Sequence, residues 1–181
     1  ARARIATISP AAPPTATDCS KETDMTATAD NGWALSISRH IAAPPEKVWQ
    51  ILTERQTEWW CPLPWRAEFL VQEWHAGGRT SVVMHGPDGE EHPHEGIFLE
   101  VTPGVRFVST DAFVVGADGQ YMPAGPFMIG CWEITVEAGG TRYTATARHW
   151  DEDAARRHSE MGFADGWGAC ADQLVALCEQ D

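Results

Sequence analysis

Between residues 66 and 111 the chain runs through four short stretches in which apolar and polar residues roughly alternate, divided by Gly77-Gly78, Pro87-Asp88-Gly89 and Pro103-Gly104. Alternation with period two marks a strand with one buried face, and Gly, Pro and Asp supply the turns between such strands. The separations are shorter than the dozen or so residues, roughly, that a parallel crossover needs, so neighbouring strands must pair antiparallel. Strands are expected at Arg66–Trp74, Arg79–His85, Glu95–Val101 and Val105–Asp111. This meander excludes a βαβ architecture and demands an apolar element to cover one face of the sheet.

The flanking segments supply that cover. Upstream, Trp33, Leu35, Ile37 and Arg39 alternate with Ala34, Ser36, Ser38 and His40 as one more strand. Pro44-Pro45 then opens a helix, where a missing N–H costs nothing, and Val48, Ile51 and Leu52 form its buried stripe at i, i+3 and i+4. Pro62 and Pro64 forbid its extension. After a loop at Gly116–Pro126, Met128, Trp132, Ile134 and Val136 oppose Cys131, Glu133 and Thr135 on a strand. A turn at Gly139-Gly140 leads into another, where Tyr143, Ala145, Ala147 and His149 oppose Arg142, Thr144, Thr146 and Arg148. Asp151–Cys178 reads as one long helix capped by Asp151 or Asp153, with an apolar line through Met161, Ala164, Trp167, Ala171, Leu174 and Cys178. Gly162, Gly166 and Gly168 each weaken it by ~1 kcal/mol relative to Ala, which implies a kink, a close approach to another element, or a gap beneath it. The expected fold class is α+β: a curved antiparallel sheet of about six or seven strands wrapped around a long C-terminal helix, over residues 33–181. Residues 1–32 are rich in Pro, Thr, Ala and Asp without apolar periodicity and are expected to form a disordered tail. Met25 is a candidate start, in which case residues 1–24 would not belong to the native protein.

Composition narrows the partners. With 13 Lys+Arg against 26 Asp+Glu in 181 residues the net charge is −13, and no basic run offsets it, so nucleic acid and anionic membrane surfaces are excluded as partners. No apolar run approaches the roughly 20 residues of a membrane span. Five cysteines without a CxxC pair fit reduced thiols in a cytoplasmic protein rather than a disulfide framework or a thiolate zinc site.

Six segments in order, IAAPPEKVWQILTE, EWWCP, AGGRTSVVMHGPDGE, EGIFLEVTPGVRFVST, GTRYTATARHW and Gly166-Trp167, resemble the START-like (SRPBCC) superfamily, in its branch named for activators of the ninety-kilodalton heat-shock protein ATPase. The resemblance spans Trp33 to Leu177. It implies a helix-grip fold with a cavity between sheet and C-terminal helix that holds a small apolar or amphipathic molecule. It also implies enzymatic activity in some members, and chaperone activation from the branch name.

Residues with chemical potential are few. His92 and His94, with Glu91 and Glu95, form a candidate zinc set, but Pro93 between them favours solvated loop histidines and no third distant ligand is evident. His85 and His149 are candidate acids or bases, and Cys61 a candidate nucleophile without an identifiable base. The aromatics say more. Trp59, Trp60, Trp132, Tyr143, Phe163 and Trp167 are numerous for a domain this size and fit either core or cavity wall. The expected ligand-binding residues are Trp60, Met84, Phe98, Trp132, Tyr143, Ala147, His149, Met161 and Trp167, with small Ala145 and Ala147 leaving room. His149 and the Tyr143 hydroxyl are the polar fixing points, and Phe113, Tyr121 and Met122 the cover. No cofactor, metal or catalytic residue is assigned. The primary expectation is a small-molecule binding protein for an apolar or aromatic ligand, monomeric or homodimeric. The alternatives are a cyclase, dehydratase or hydrolase on the same scaffold, or a module acting on a chaperone.

Overall fold

The structure, a computed structural model, describes residues 32–125 and 128–180. The tail expected over residues 1–32 therefore lies, apart from Gly32, outside the described residues.

Seven antiparallel strands form one sheet in the order β1-β9-β8-β5-β4-β3-β2. These are β1 (Ala34–Ile41), β2 (Arg66–Gln72), β3 (Arg79–His85), β4 (Glu91–Thr102), β5 (Arg106–Thr110), β8 (Ile129–Glu137) and β9 (Gly140–Arg148). Strands β1 and β2 are consecutive in that chain order yet occupy opposite edges. The chain between them carries α1 (Pro45–Glu54) and a 3-10 turn at Gln56–Glu58 across one face. Pro44 is extended at the N-cap, Pro45 occupies the first turn, and Val48, Ile51 and Leu52 are the buried residues of α1, as their spacing requires. The C-terminal helix packs on β1 and α1, so the sheet grips it from one side.

Three expectations need correction. The single helix over Asp151–Cys178 is two: α2 (Glu152–Glu160) and α3 (Phe163–Cys178). Asp151 caps α2, its Oδ1 accepting from the Ala154 N–H at 2.7 Å. Gly162 separates the helices with φ at 92°, in the left-handed region that a residue with a Cβ avoids. The break resets the helical phase: Phe163 takes the buried position, while Met161 is 75% exposed and Ala164 is exposed. Beyond it the apolar line through Ala171, Leu174 and Cys178 is buried as expected.

Strand β4 begins at Glu91 rather than Glu95, so Pro93 lies within it, opposite Val83. At that point β4 pairs with β3 alone, since its pairing with β5 starts at Ile97, and a residue lacking an N–H is tolerated beside a free edge. The loop expected over Gly116–Pro126 contains part of a small hairpin of β6 (Phe113–Val115) and β7 (Tyr121–Pro123). Its Tyr121 hydroxyl donates to the Gly77 carbonyl at 2.8 Å.

The core is aromatic. Trp132 stacks between Phe107 (4.9 Å between centroids) and Trp167 (5.6 Å), while Trp74 stacks on Phe98 at 4.8 Å. Trp132 lies back along its own strand: a Cβ at Gly130 would sit 2.3 Å from the indole ring. Glycine at 130 is thus a space-maker for Trp132. Its register partner Ala147, like Ala145, is completely buried in the protein interior.

Candidate functional site

A cavity of about 330 Å³ opens between the concave face of the sheet and the helices. Its floor follows strand parity: Thr80, Val82 and Met84 come from β3, Gly96 and Phe98 from β4, Phe107 and Ser109 from β5. Trp132 and Tyr143 continue it on β8 and β9, and Gly166, Trp167 and Cys170 of α3 form the roof. Trp59, Trp60 and Pro62, held after the 3-10 turn, close one side. His94, Glu95 and Met161 are the exposed members of the lining and mark the mouth.

Of the residues expected to bind ligand, Trp60, Met84, Phe98, Trp132, Tyr143, Met161 and Trp167 are brought together around this cavity. Ala147 and His149 are not. Ala147 is 0% exposed and walled off, since its neighbourhood on the concave face is filled by the Trp132 ring over Gly130. His149 sits behind the wall, its Nδ1 2.9 Å from the Trp33 carbonyl and its Nε2 2.9 Å from His158 Nδ1. Phe113, Tyr121 and Met122, expected as a cover, are exposed on the β6–β7 hairpin and touch none of the lining space. Sequence reasoning missed Gln56, Gln72, Asp111, His158 and Cys170. Strand and helix parity assigns Gln72 and Cys170 only after the bulge in β2 and the break before α3 are known.

The polar groups fall into three sets. Tyr143 is 2% exposed and lines the cavity. Burial pushes its phenol upward, so it remains a neutral donor at physiological pH. At a second point Gln72 Nε2 donates to Gln56 Oε1 at 3.0 Å, leaving the buried Gln72 Oε1 without a partner among the described residues. The third set is the histidine pair. The Trp33 carbonyl can only accept, so with both rings neutral His149 carries its proton on Nδ1, and His158 Nδ1–H donates to His149 Nε2. Burial first, and then His149, push His158 down to about 4, while Asp111 acts in the opposite direction. His94 is also lowered, by desolvation and then by His92, again with Asp111 opposing.

Nucleophilic chemistry finds no support in the thiols. Burial pushes Cys61 up to about 11 and Cys170 up to about 12, and Cys170 donates to the Trp60 carbonyl at 3.0 Å. His85 lies outside the cavity, with Nε2 2.9 Å from Glu68 Oε2 and Nδ1 3.5 Å from Glu91 Oε1. His92 stacks against Trp65 at 5.4 Å between centroids. Among the described residues, no group of three or more His, Cys, Asp or Glu side chains converges as a metal site. None of the described helices is long and apolar enough to cross a membrane. The arrangement can enclose a flat apolar molecule and offer it hydrogen bonds at defined points.

Residues 42–179 match the family described as Activator of Hsp90 ATPase homolog 1-like protein. Among solved structures, a protein from Nitrosomonas europaea is 38% identical over 80% of this chain and 92% of its own, with a TM-score of 0.72. One from Mycobacterium smegmatis is 26% identical over 82% of this chain and 92% of its own, at a TM-score of 0.68. A Silicibacter pomeroyi protein titled AHSA1 shares the fold at 19% identity and a TM-score of 0.59, over 79% of this chain and 95% of its own. No curated protein sequence matched the chain.

Proposed function

The chain belongs to the Activator of Hsp90 ATPase homolog 1-like family, on a START-like helix-grip scaffold, and from that premise we propose that it binds a small apolar or aromatic molecule between its sheet and α3. One observation carries this reading: Gln72, on the cavity wall, holds a buried amide oxygen, Oε1, without a hydrogen-bond partner among the described residues. An unmet buried polar group costs about 1–3 kcal/mol, a cost that a bound ligand or an ordered water offsets. Aromatic walls around a few placed polar groups are the usual makeup of a ligand pocket. The four free thiols among the described residues support a reducing, cytoplasmic setting.

The test uses Gly166. A Cβ there meets nothing within 4 Å, and Gly166 lines the cavity, so Gly166→Leu extends a side chain into the open volume. The neutral probe N-phenyl-1-naphthylamine should gain fluorescence saturably on wild type. Gly166→Leu should lose that gain while its melting temperature does not fall below that of wild type. Equal binding by both proteins would place the probe elsewhere and refute the reading. A second reading, stimulation of a heat-shock ATPase, is supported by the family match alone. Saturable, several-fold stimulation by the pure protein, unchanged in Gly166→Leu, would establish it as separate from the cavity.

A further inference from the structure

The cavity lining bears on the charge of the ligand. The described residues around the cavity include two carboxylates, Glu95 and Asp111, and no Lys or Arg. The position of the Asp111 carboxylate is fixed by its neighbours. Its Oδ1 accepts from the Met128 N–H at 3.1 Å, and it raises the proton affinity of both His94 and His158, which also line the cavity. Glu95, Asp111 and His94 therefore share one end, the mouth, with His158 buried behind them, while the closed end is aromatic and amide-lined.

We propose that the cavity selects flat aromatic ligands that are neutral or carry a cationic amine, the amine lying at the Glu95–Asp111 mouth, and that it rejects carboxylic and other acids. This rests on the reading that the cavity binds a ligand at all, for which the unpartnered Gln72 Oε1 stands independently of any charge. Three physical effects favour the assignment. A carboxylate entering the mouth meets two like charges and, among the described lining residues, no basic side chain to receive it. His158 stays uncharged near neutral pH because it is buried beside His149, so it does not serve as an anion receptor there. The aromatic closed end presents neutral rings, so a cation at the mouth meets no positively charged side chain among the described lining residues while an anion finds no counter-charge. The net charge of −13 adds a field of the same sign at longer range.

Three probes of one shape separate these effects by isothermal titration calorimetry at pH 7.5: neutral 2-naphthol, cationic 2-naphthylmethylamine and anionic 2-naphthoate. The amine should bind at least about tenfold tighter than the carboxylate, with naphthol between, a span that one partly screened charge contact supports. Asp111→Asn retains an acceptor for the Met128 N–H, and Glu95→Gln alters an exposed side chain, so both should remain folded. Each variant should narrow the gap between amine and carboxylate several-fold, read as the ratio of the two affinities within each protein. Carboxylate binding equal to or tighter than amine binding overturns the charge selectivity and leaves ligand binding standing. So does an amine preference that neither variant narrows. Absence of binding by 2-naphthol itself overturns the binding reading, and the selectivity falls with it.

Discussion

His158 offers a quantitative handle on the interior that no exposed group gives. It is 7% exposed, packed edge-on to Phe163 and Trp167, and its affinity for a proton falls from the ordinary 6.5 to about 4. Burial is the largest cause and His149 the next. A folded-state value below the unfolded one means the unfolded chain binds the extra proton. Stability is then complete above about pH 6.5, declines as pH falls toward about 4, and levels off below. At 1.36 kcal/mol per pH unit, the difference of about 2.5 units between those values gives a ceiling of roughly 3 kcal/mol. For a domain of this size that corresponds to a melting temperature lower by roughly 6–12 °C. His94, also held low, adds a loss of the same sign. Glu73, Glu100 and Glu137, held low by Arg79, Arg106 and Arg142, lose their contribution only below the ordinary carboxylate range, outside the upper part of this window. His158→Asn places an amide N–H near the Nδ1 position, keeping a donor for His149 while removing the titration. Thermal melts of both proteins between pH 7.5 and pH 4.5 decide the matter. Wild type should lose several degrees more than the variant, and equal slopes would refute the assignment of His158 as a buried neutral base.

Other outcomes follow from single glycines. Gly162→Ala forces a Cβ into the left-handed region with no steric contact nearby, so it should cost about 1–2 kcal/mol from backbone strain alone, read by urea unfolding. Gly166→Ala places a methyl in open space on a helix and should stabilise by about 0.5–1 kcal/mol in the same assay. Gly130→Ala collides with the Trp132 ring and should destabilise by about 1–3 kcal/mol, with altered near-ultraviolet circular dichroism from the displaced indole. Ala147→Trp should unfold the domain rather than block the cavity, because Ala147 is enclosed in the core.

Much of this architecture was legible from periodicity. The meander, the hairpin at Gly139-Gly140 and the buried stripe of α1 depend on local spacing, which one sequence carries in full. The break at Gly162 was less readable: three glycines shared the helix, and only the backbone shows which adopts a positive φ and which merely lie along a helix. The same limit displaced His149 and Ala147 from the site. Parity correctly put Ala147 on the concave face, but whether a small residue opens a cavity or accommodates a neighbour depends on a rotamer, here that of Trp132. His158 was invisible for a related reason, since its inward position depends on the phase of α2 after a cap that two aspartates could equally have supplied. The seven expected residues that line the cavity were legible because successive strand side chains alternate strictly between the two faces.

Occupation of the space under α3 by a small molecule would be visible in a crystal structure of the protein with 2-naphthol. The two-ring system should lie between Trp60 and Trp167, with its hydroxyl donating to the unpartnered Gln72 Oε1. A ring bound only on the outer surface, or a cavity closed by collapse of Trp60 and Trp167 onto Tyr143, would contradict it.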